Sequence, residues 1–74
     1  MNTLIYKLAD QAHKESYVVY LQRQEAEGPA NVIFYDIFNE KFAELIVREC
    51  CQKLENDGMV EVAMEMKQHF GVEE

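Results

Sequence analysis

The sequence is poor in the residue types that staple small proteins or build phosphate-binding loops. Its 74 residues include two cysteines, three glycines, one proline and no tryptophan. Cys50 and Cys51 are neighbours, and adjacent helical side chains point about 100° apart, which excludes an unstrained bridge between them. On a helical wheel Cys50 falls on an apolar stripe, whereas Cys51 projects outward. Without a disulfide framework a chain this short needs another source of stability, and a partner subunit is the expected one.

Basic residues and long apolar runs are also scarce. Seven lysines and arginines stand against 14 acids, and the net charge of -7 excludes a nonspecific binder of phosphate backbones. No apolar run approaches the roughly 18 residues of a membrane span, and the N-terminus lacks the apolar core of a secretory signal. Hydrophobic residues make up 49% of the chain, too many for a disordered protein. We therefore expect a folded, cytoplasmic protein.

Patterns that would carry catalysis or bind a metal are missing too. The chain has one serine, Ser16, and one threonine, Thr3, and neither lies in a nucleophile motif such as GxSxG. Glu65 and His69 have helical spacing, but no CxxC or HExxH pattern accompanies them, so a solvated pair is the favoured interpretation. The sequence predicts a protein that is not an enzyme and that has no metal and no cofactor.

Apolar periodicity predicts an α+β fold. A helical stripe predicts a first helix over residues 3–15, with Asn2 or Thr3 as its cap. Residues 16–21 and 32–38 are β-branched and aromatic, which favours two strands. Because a Gly-Pro pair marks a loop between them, the two runs predict an antiparallel hairpin.

Two further helices are predicted after the hairpin, whose loop spans residues 24–31. The first of them starts with Asn39 as its cap and stops at Asn56-Asp57-Gly58. The second carries an apolar stripe over residues 59–70 and is closed by the glycine that follows. The predicted order is therefore helix–β-hairpin–helix–helix, in a single domain over residues 1–74.

The second predicted strand is apolar on both faces. Residues 33, 35 and 37 share one side, and Val32, Phe34 and Phe38 share the other. One face needs an external cover, because an isolated two-stranded sheet is barely stable in water. A homo-oligomer is the simplest cover, and a third helix folding back is the alternative. The expected interface residues are Val32, Phe34, Phe38, Phe42, Leu45, Glu49 and Lys53. Glu49 and Lys53 are spaced i,i+4, and the alternative is that they form an ordinary surface ion pair.

Charge is distributed unevenly along the chain. Residues 1–23 hold three bases and two acids, whereas residues 24–74 hold four bases and twelve acids. The basic segment, together with nearby tyrosines, predicts a site near an oligomer axis for a small anionic, stackable ligand such as a nucleotide. Its expected residues are Lys7, Lys14, Tyr17, Tyr20, Arg23 and Tyr35. Alternatively, the acidic helices meet a basic patch on another protein or imitate nucleic acid toward an enzyme that binds it.

Three segments resemble small accessory proteins of tailed bacteriophages. These are KFAELIVRECC at residues 41–51, the ending KQHFGVEE at residues 67–74, and LADQA at residues 8–12 in the first helix. The resemblance brings no catalytic residues with it. Residues 16–38 depart from the family's pattern, so any specific activity is expected there.

The resemblance implies a setting for these features. Very small phage accessory proteins commonly act stoichiometrically, by blocking a host factor or sequestering a defence signal. The leading prediction is therefore a non-enzymatic, homo-oligomeric anti-defence protein of the host cytoplasm that sequesters a nucleotide-type immune signal. The alternatives are inhibition of a host protein through the acidic helical surface and a structural or assembly role in the virion.

Overall fold

The protein is all-helical in the computed structural model, which describes residues 2–28 and 32–72. Three helices follow one another along the chain: α1 (Thr3–Glu27), α2 (Phe34–Asn56) and α3 (Val60–Phe70). No strand occurs in the described residues, so the predicted α+β class is wrong. None of these helices combines the length and the apolar character that crossing a membrane requires.

The predicted β-hairpin is replaced by helix on both sides of the connection. Residues 16–27 continue α1, and Phe34 through Phe38 form the first turns of α2, so Asn39 lies inside a helix rather than at its cap. Residues 29–31 of the predicted loop lie outside the described residues. Strand propensity is a weak and context-dependent signal. Here the helical spacing of the buried residues decided the structure instead. Ser16 follows Ala12 by one helical turn, and both side chains are fully buried.

Three helix ends follow the capping chemistry read from the sequence: the start of α1, the end of α2 and the end of α3. Asn2 caps α1, because its side-chain oxygen accepts a hydrogen bond of 2.8 Å from the Leu4 N–H. At the end of α2, Gly58 adopts a φ of 84°, and the N–H groups of Gly58 and Met59 bond back to the carbonyls of Glu55 and Leu54. This Schellman geometry confirms the stop predicted at residues 56–58.

Gly71 ends α3 in the same way. It has a left-handed backbone with a φ of 68°, a conformation that side chains with a Cβ rarely adopt. The N–H of Val72 bonds to the Lys67 carbonyl at 2.9 Å, and the Val72 side chain is buried. An apolar residue at this position commonly packs back on the helix. The predicted third helix and its glycine cap are therefore confirmed.

The chain forms two compact units, Met1–Ala43 and Glu44–Glu74, with the boundary inside α2. In unit 1, the buried side chains are small or aliphatic: Ala12, Ser16 and Ile37. In unit 2 they are Leu45, Cys51, Ala63 and Val72. The single domain expected over residues 1–74 stays a prediction.

Unit 2 is fixed by one buried and one half-buried contact. The Cys51 thiol is fully buried and lies 3.6 Å from the Ala63 carbonyl oxygen, to which it donates. Lys67 Nζ donates to Glu55 Oε1 at 3.1 Å. Cys50 is exposed, so the two cysteines are placed the opposite way from the prediction. The reason is that the face of α2 used in unit 2 is the one that carries Cys51.

Candidate functional site

The candidate site is a cluster of rings in unit 1, built on regular helical spacing. Tyr6, His13 and Tyr20 follow one another at seven-residue intervals on α1. Seven residues are almost two turns, so each ring is displaced by only about 20° around the axis. On α2, Phe34 and Phe38 are one turn apart and share a face. Helical periodicity therefore lines up three rings on one helix and two on the other.

His13 lies where the rings of the two helices meet. Its imidazole is 5.3 Å from the Phe34 ring and 6.5 Å from the Phe38 ring, both edge-on. Tyr20 meets Phe34 edge-on as well, at 5.6 Å. Phe34 and Phe38 stack on each other at 6.3 Å with an interplanar angle of 23°. These separations are those of favourable aromatic pairs, each worth about 0.5–1.5 kcal/mol beyond its buried area.

Two open hollows lie beside His13 and Phe38, which line both of them. The first, of about 330 Å³, is completed by Phe34 and Tyr35. The second, of about 310 Å³, is completed by residues of α1 alone: Tyr6, Ala9 and Asp10. We call this pair of hollows and its rings the aromatic groove. Each hollow is at the small end of the volume range for ligand sites.

The aromatic groove presents ring surface to solvent. Tyr35 is 73% exposed and Tyr6 is 66% exposed, while Phe34 and Phe38 are half-buried. Tyr17, 53% exposed, follows His13 by one turn on α1. Exposed aromatic rings beside half-buried ones can stack a planar group without first unpacking the protein.

One cation lies at the rim of the aromatic groove. Lys14 Nζ forms an ion pair of 2.9 Å with Asp10 Oδ2, and Asp10 lines the second hollow. The pair is largely solvent-exposed, so it is held weakly. A phosphate could therefore take over Lys14, while the Asp10 carboxylate could accept hydrogen bonds from hydroxyl or amino groups. In the described part of the chain, no three His, Cys, Asp or Glu side chains group as a metal site would require.

The predicted ligand-binding residues are only partly brought together. Tyr20 and Tyr35 both contact Phe34, at 5.6 and 6.3 Å. Tyr17 follows His13 by one turn of α1, and Lys14 pairs with Asp10, which lines the second hollow. Lys7 and Arg23, however, are 16 residues apart, which is about 24 Å along the helix and nearly half a turn around it. One subunit therefore does not gather the three predicted cations around a single ligand.

The predicted interface residues follow one stripe of α2. Phe34, Phe38 and Phe42 form a ladder of rings, with Phe42 5.6 Å from Phe38. Leu45 is buried, and Val32 precedes the helix. Lys53 bonds to Asp57, at 3.0 Å, rather than to the predicted Glu49. The stripe is real as a helical face, but two of its rings contact α1 within unit 1.

Sequence reasoning missed Tyr6 and His13 as members of the site. Their membership was indicated by the seven-residue spacing of Tyr6, His13 and Tyr20. The prediction of a hairpin starting at residue 16 hid this spacing, because it put Tyr20 in a strand. Phe34 and Phe38 were assigned to an interface instead of to the groove. A helical interpretation of residues 16–27 and 34–38 would have placed all five rings on one stripe of each helix.

Unit 2 has a different exposed surface, which is aliphatic and rich in methionine. The large apolar side chains exposed on and just before α3 are Met59, Val60, Val62, Met64 and Phe70. Acidic residues lie among them, at Glu61 and Glu65. Flexible methionine surfaces of this kind suit contact with another protein rather than with a small polar ligand.

No family model matches the sequence, and comparisons with curated proteins and with solved structures found no similar protein. The resemblance of residues 41–51 and 67–74 to phage accessory proteins therefore stays a prediction.

Proposed function

We propose that this protein is a non-enzymatic phage accessory protein that works by stoichiometric binding in the host cytoplasm, as a homo-oligomer. Its proposed ligand is a nucleotide-type immune signal, and its proposed role is to sequester that signal from host defence. The aromatic groove of unit 1 is the proposed binding surface.

The observation that carries this proposal is the set of aromatic rings around two small, open hollows. A nucleobase would stack against Tyr35 over the half-buried Phe34 and Phe38, since every base presents a π-face to an aromatic side chain. Its phosphate would replace the Asp10 carboxylate as the partner of Lys14 at the rim. The site supplies aromatic stacking and one cation, and both support binding of a nucleotide.

The proposal is tested by thermal shift and titration calorimetry with a panel of cyclic and linear nucleotides. At least one should stabilise the protein, and Tyr35→Ala should weaken that ligand by roughly 5- to 150-fold, the value of one stacked base. Lys14→Ala should also weaken it. Lys53→Ala is the matched control, because both lysines are 74% exposed and pair with an acid four residues away. Absence of stabilisation by any nucleotide would end the proposal.

A second candidate function is inhibition of a host protein through unit 2. The exposed apolar side chains of α3 lie among acids, and unit 2 carries three bases against eight acids. Such a surface favours a partner with a basic rim around an apolar centre. A third class, a structural role in the virion, has no such observation in its favour.

The inhibitor hypothesis needs variants that leave unit 2 folded. Glu55 is a poor choice, because it is half-buried against Lys67. Glu61→Lys with Glu65→Lys reverses exposed charge on α3 instead. Pull-down from bacterial lysate should retain one host protein with the parent chain and lose it with this double variant. Retention by both would contradict the acidic-surface hypothesis.

A further inference from the structure

The outer face of α1 carries a second regular pattern, distinct from the aromatic groove. Six side chains alternate in steps of four and three residues, which keeps them on one helical stripe, and all six are exposed. The stripe lies roughly opposite the buried Ser16. We call it the outer stripe, and its members are Lys7, Gln11, Lys14, Val18, Leu21 and Glu25.

The order of charges along the outer stripe is asymmetric. Its first half has Lys7 and Lys14, its last position is Glu25, and the apolar Val18 and Leu21 lie between Lys14 and Glu25. Val18 is 55% exposed and Leu21 is 43% exposed, so both are uncovered. If two copies paired in parallel, Lys14 would face Lys14 and Glu25 would face Glu25. Like charges directly opposed are unfavourable, so an antiparallel arrangement is preferred.

We propose that a second copy of this chain docks on the outer stripe in antiparallel orientation. One antiparallel register allows both the apolar contact and the ion pair. The reason is that Lys14 precedes Val18 by four residues, and Glu25 follows Leu21 by four residues. Val18 then packs against Leu21 of the second copy, and Lys14 pairs with Glu25 of the second copy, each contact occurring twice about the two-fold axis. The charged pairs thus flank an apolar centre on both sides.

The residues that flank the outer stripe are compatible with this register. In antiparallel helix pairs, positions on the same edge of each helix approach one another. Glu15 would meet Gln22 of the second copy, and Tyr17 would meet Gln24 of the second copy. No two like charges are opposed. Because the overlap is only about three turns long, we expect a weak, concentration-dependent dimer.

The pairing deepens the homo-oligomer part of the proposed function and rests on it, but it does not require the nucleotide. Tyr6, His13 and Tyr20 lie about a third of a turn away from the outer stripe around α1. The dimer would therefore leave the rings of both aromatic grooves open. The two surfaces share Lys14, so variants of Lys14 do not distinguish nucleotide binding from dimer formation, whereas Tyr35→Ala and the cysteine variants do. Failure of nucleotide binding and failure of the dimer are separate outcomes, read in separate experiments.

Cysteine trapping tests the register directly. Val18→Cys and Leu21→Cys are made separately in the full chain carrying Cys50→Ser, which removes the exposed native thiol while Cys51 stays buried. When equal amounts are mixed and oxidised mildly, the mixed disulfide should clearly exceed the half that random pairing gives. A mixed product at or below half, or a predominance of Val18→Cys homodimers, would overturn the proposal.

Charge reversal tests the ion pairs by a different readout. Glu25→Lys and Lys14→Glu should each weaken the dimer by roughly 2- to 30-fold in light scattering, because each removes two exposed pairs. The double variant Lys14→Glu, Glu25→Lys should restore it, although it also leaves Asp10 without Lys14. Lys53→Glu is the control and should change nothing. A double variant weaker than both single ones would contradict the pairing.

Discussion

The two units of this chain differ in what they bury and in what they expose. Unit 1 contains seven of the eight aromatic residues and four bases against six acids. Unit 2 contains one aromatic residue, three of the four methionines, and three bases against eight acids. Since α2 runs through both, the difference comes from side chains and not from secondary structure. Rings and hollows occur together in unit 1, and this is where a planar ligand has something to stack on.

The two units also differ in the kind of packing that stabilises them. In unit 1 the packing visible around the groove is ring against ring, with Phe34 in contact with His13, Tyr20, Tyr35 and Phe38. In unit 2 the helices approach through a small side chain, Ala63, beneath the Cys51 thiol. Large aromatic contacts should be costly to remove, whereas the exposed ring of unit 2 should be cheap to remove.

Removing one ring from each unit should give the largest contrast. Phe34→Ala deletes the ring that makes four aromatic contacts, and we expect it to lower the free energy of unfolding by about 2–4 kcal/mol. Phe70→Ala removes a ring that is 60% exposed, and we expect a loss below about 1 kcal/mol. Urea unfolding followed by circular dichroism measures both. Equal losses would show that the ring cluster does not stabilise unit 1.

Substituting one fully buried side chain in each unit should give effects of opposite sign. The Ser16 hydroxyl has no hydrogen-bond partner among the described residues, so Ser16→Ala should stabilise the protein by about 1 kcal/mol or more. Cys51→Ala removes a thiol that bonds to Ala63, and it should destabilise by about 1 kcal/mol. Thermal unfolding would register the first change as a rise of several degrees in Tm. A fall in Tm for Ser16→Ala would mean that the hydroxyl has a partner.

Two ion pairs in the described part of unit 2 should give the smallest and most salt-dependent contrast. The Glu55 and Lys67 side chains are only 29% and 16% exposed, so Glu55→Gln should cost about 1 kcal/mol with little dependence on salt. Asp57→Asn breaks an exposed pair with Lys53, and we expect less than about 0.5 kcal/mol, vanishing in 1 M salt. Denaturation at low and high ionic strength distinguishes them. The reverse order would imply that the exposed pair is the structural one.

Three helix ends were predicted correctly from the sequence, but the end of α1 and the start of α2 were not. Asn2, Gly58 and Gly71 act through a side-chain cap or a positive φ, which are local properties. Residues 16–27 and 34–38 were misassigned, because runs such as Tyr17 to Leu21 fit a strand by composition and a helix by spacing. Short apolar runs are ambiguous in this way, and only the tertiary partner decides between the two.

The candidate site was predicted in part for the same reason. Of the predicted ligand-binding residues, Tyr20 and Tyr35 contact Phe34, and Lys14 pairs with Asp10. That they bind a ligand stays a prediction, which came from tyrosines near cations. Arg23 and Lys7 were included because the prediction used the net charge of the whole segment. That net charge does not tell which side of the helix each cation occupies. His13 was overlooked because its role depends on Phe34, which belongs to a different helix.

The measurement that most directly tests unit 1 as the binding part is a ¹⁵N-resolved NMR titration with the nucleotide panel. We predict that amide shifts will concentrate at Tyr6 to Tyr20 and at Phe34 to Phe38, with residues 59–70 unchanged. Tyr35→Ala should abolish or greatly reduce these shifts, and Phe70→Ala should leave them intact. Shifts confined to residues 59–70, or no shifts with any nucleotide, would contradict the assignment of binding to the aromatic groove.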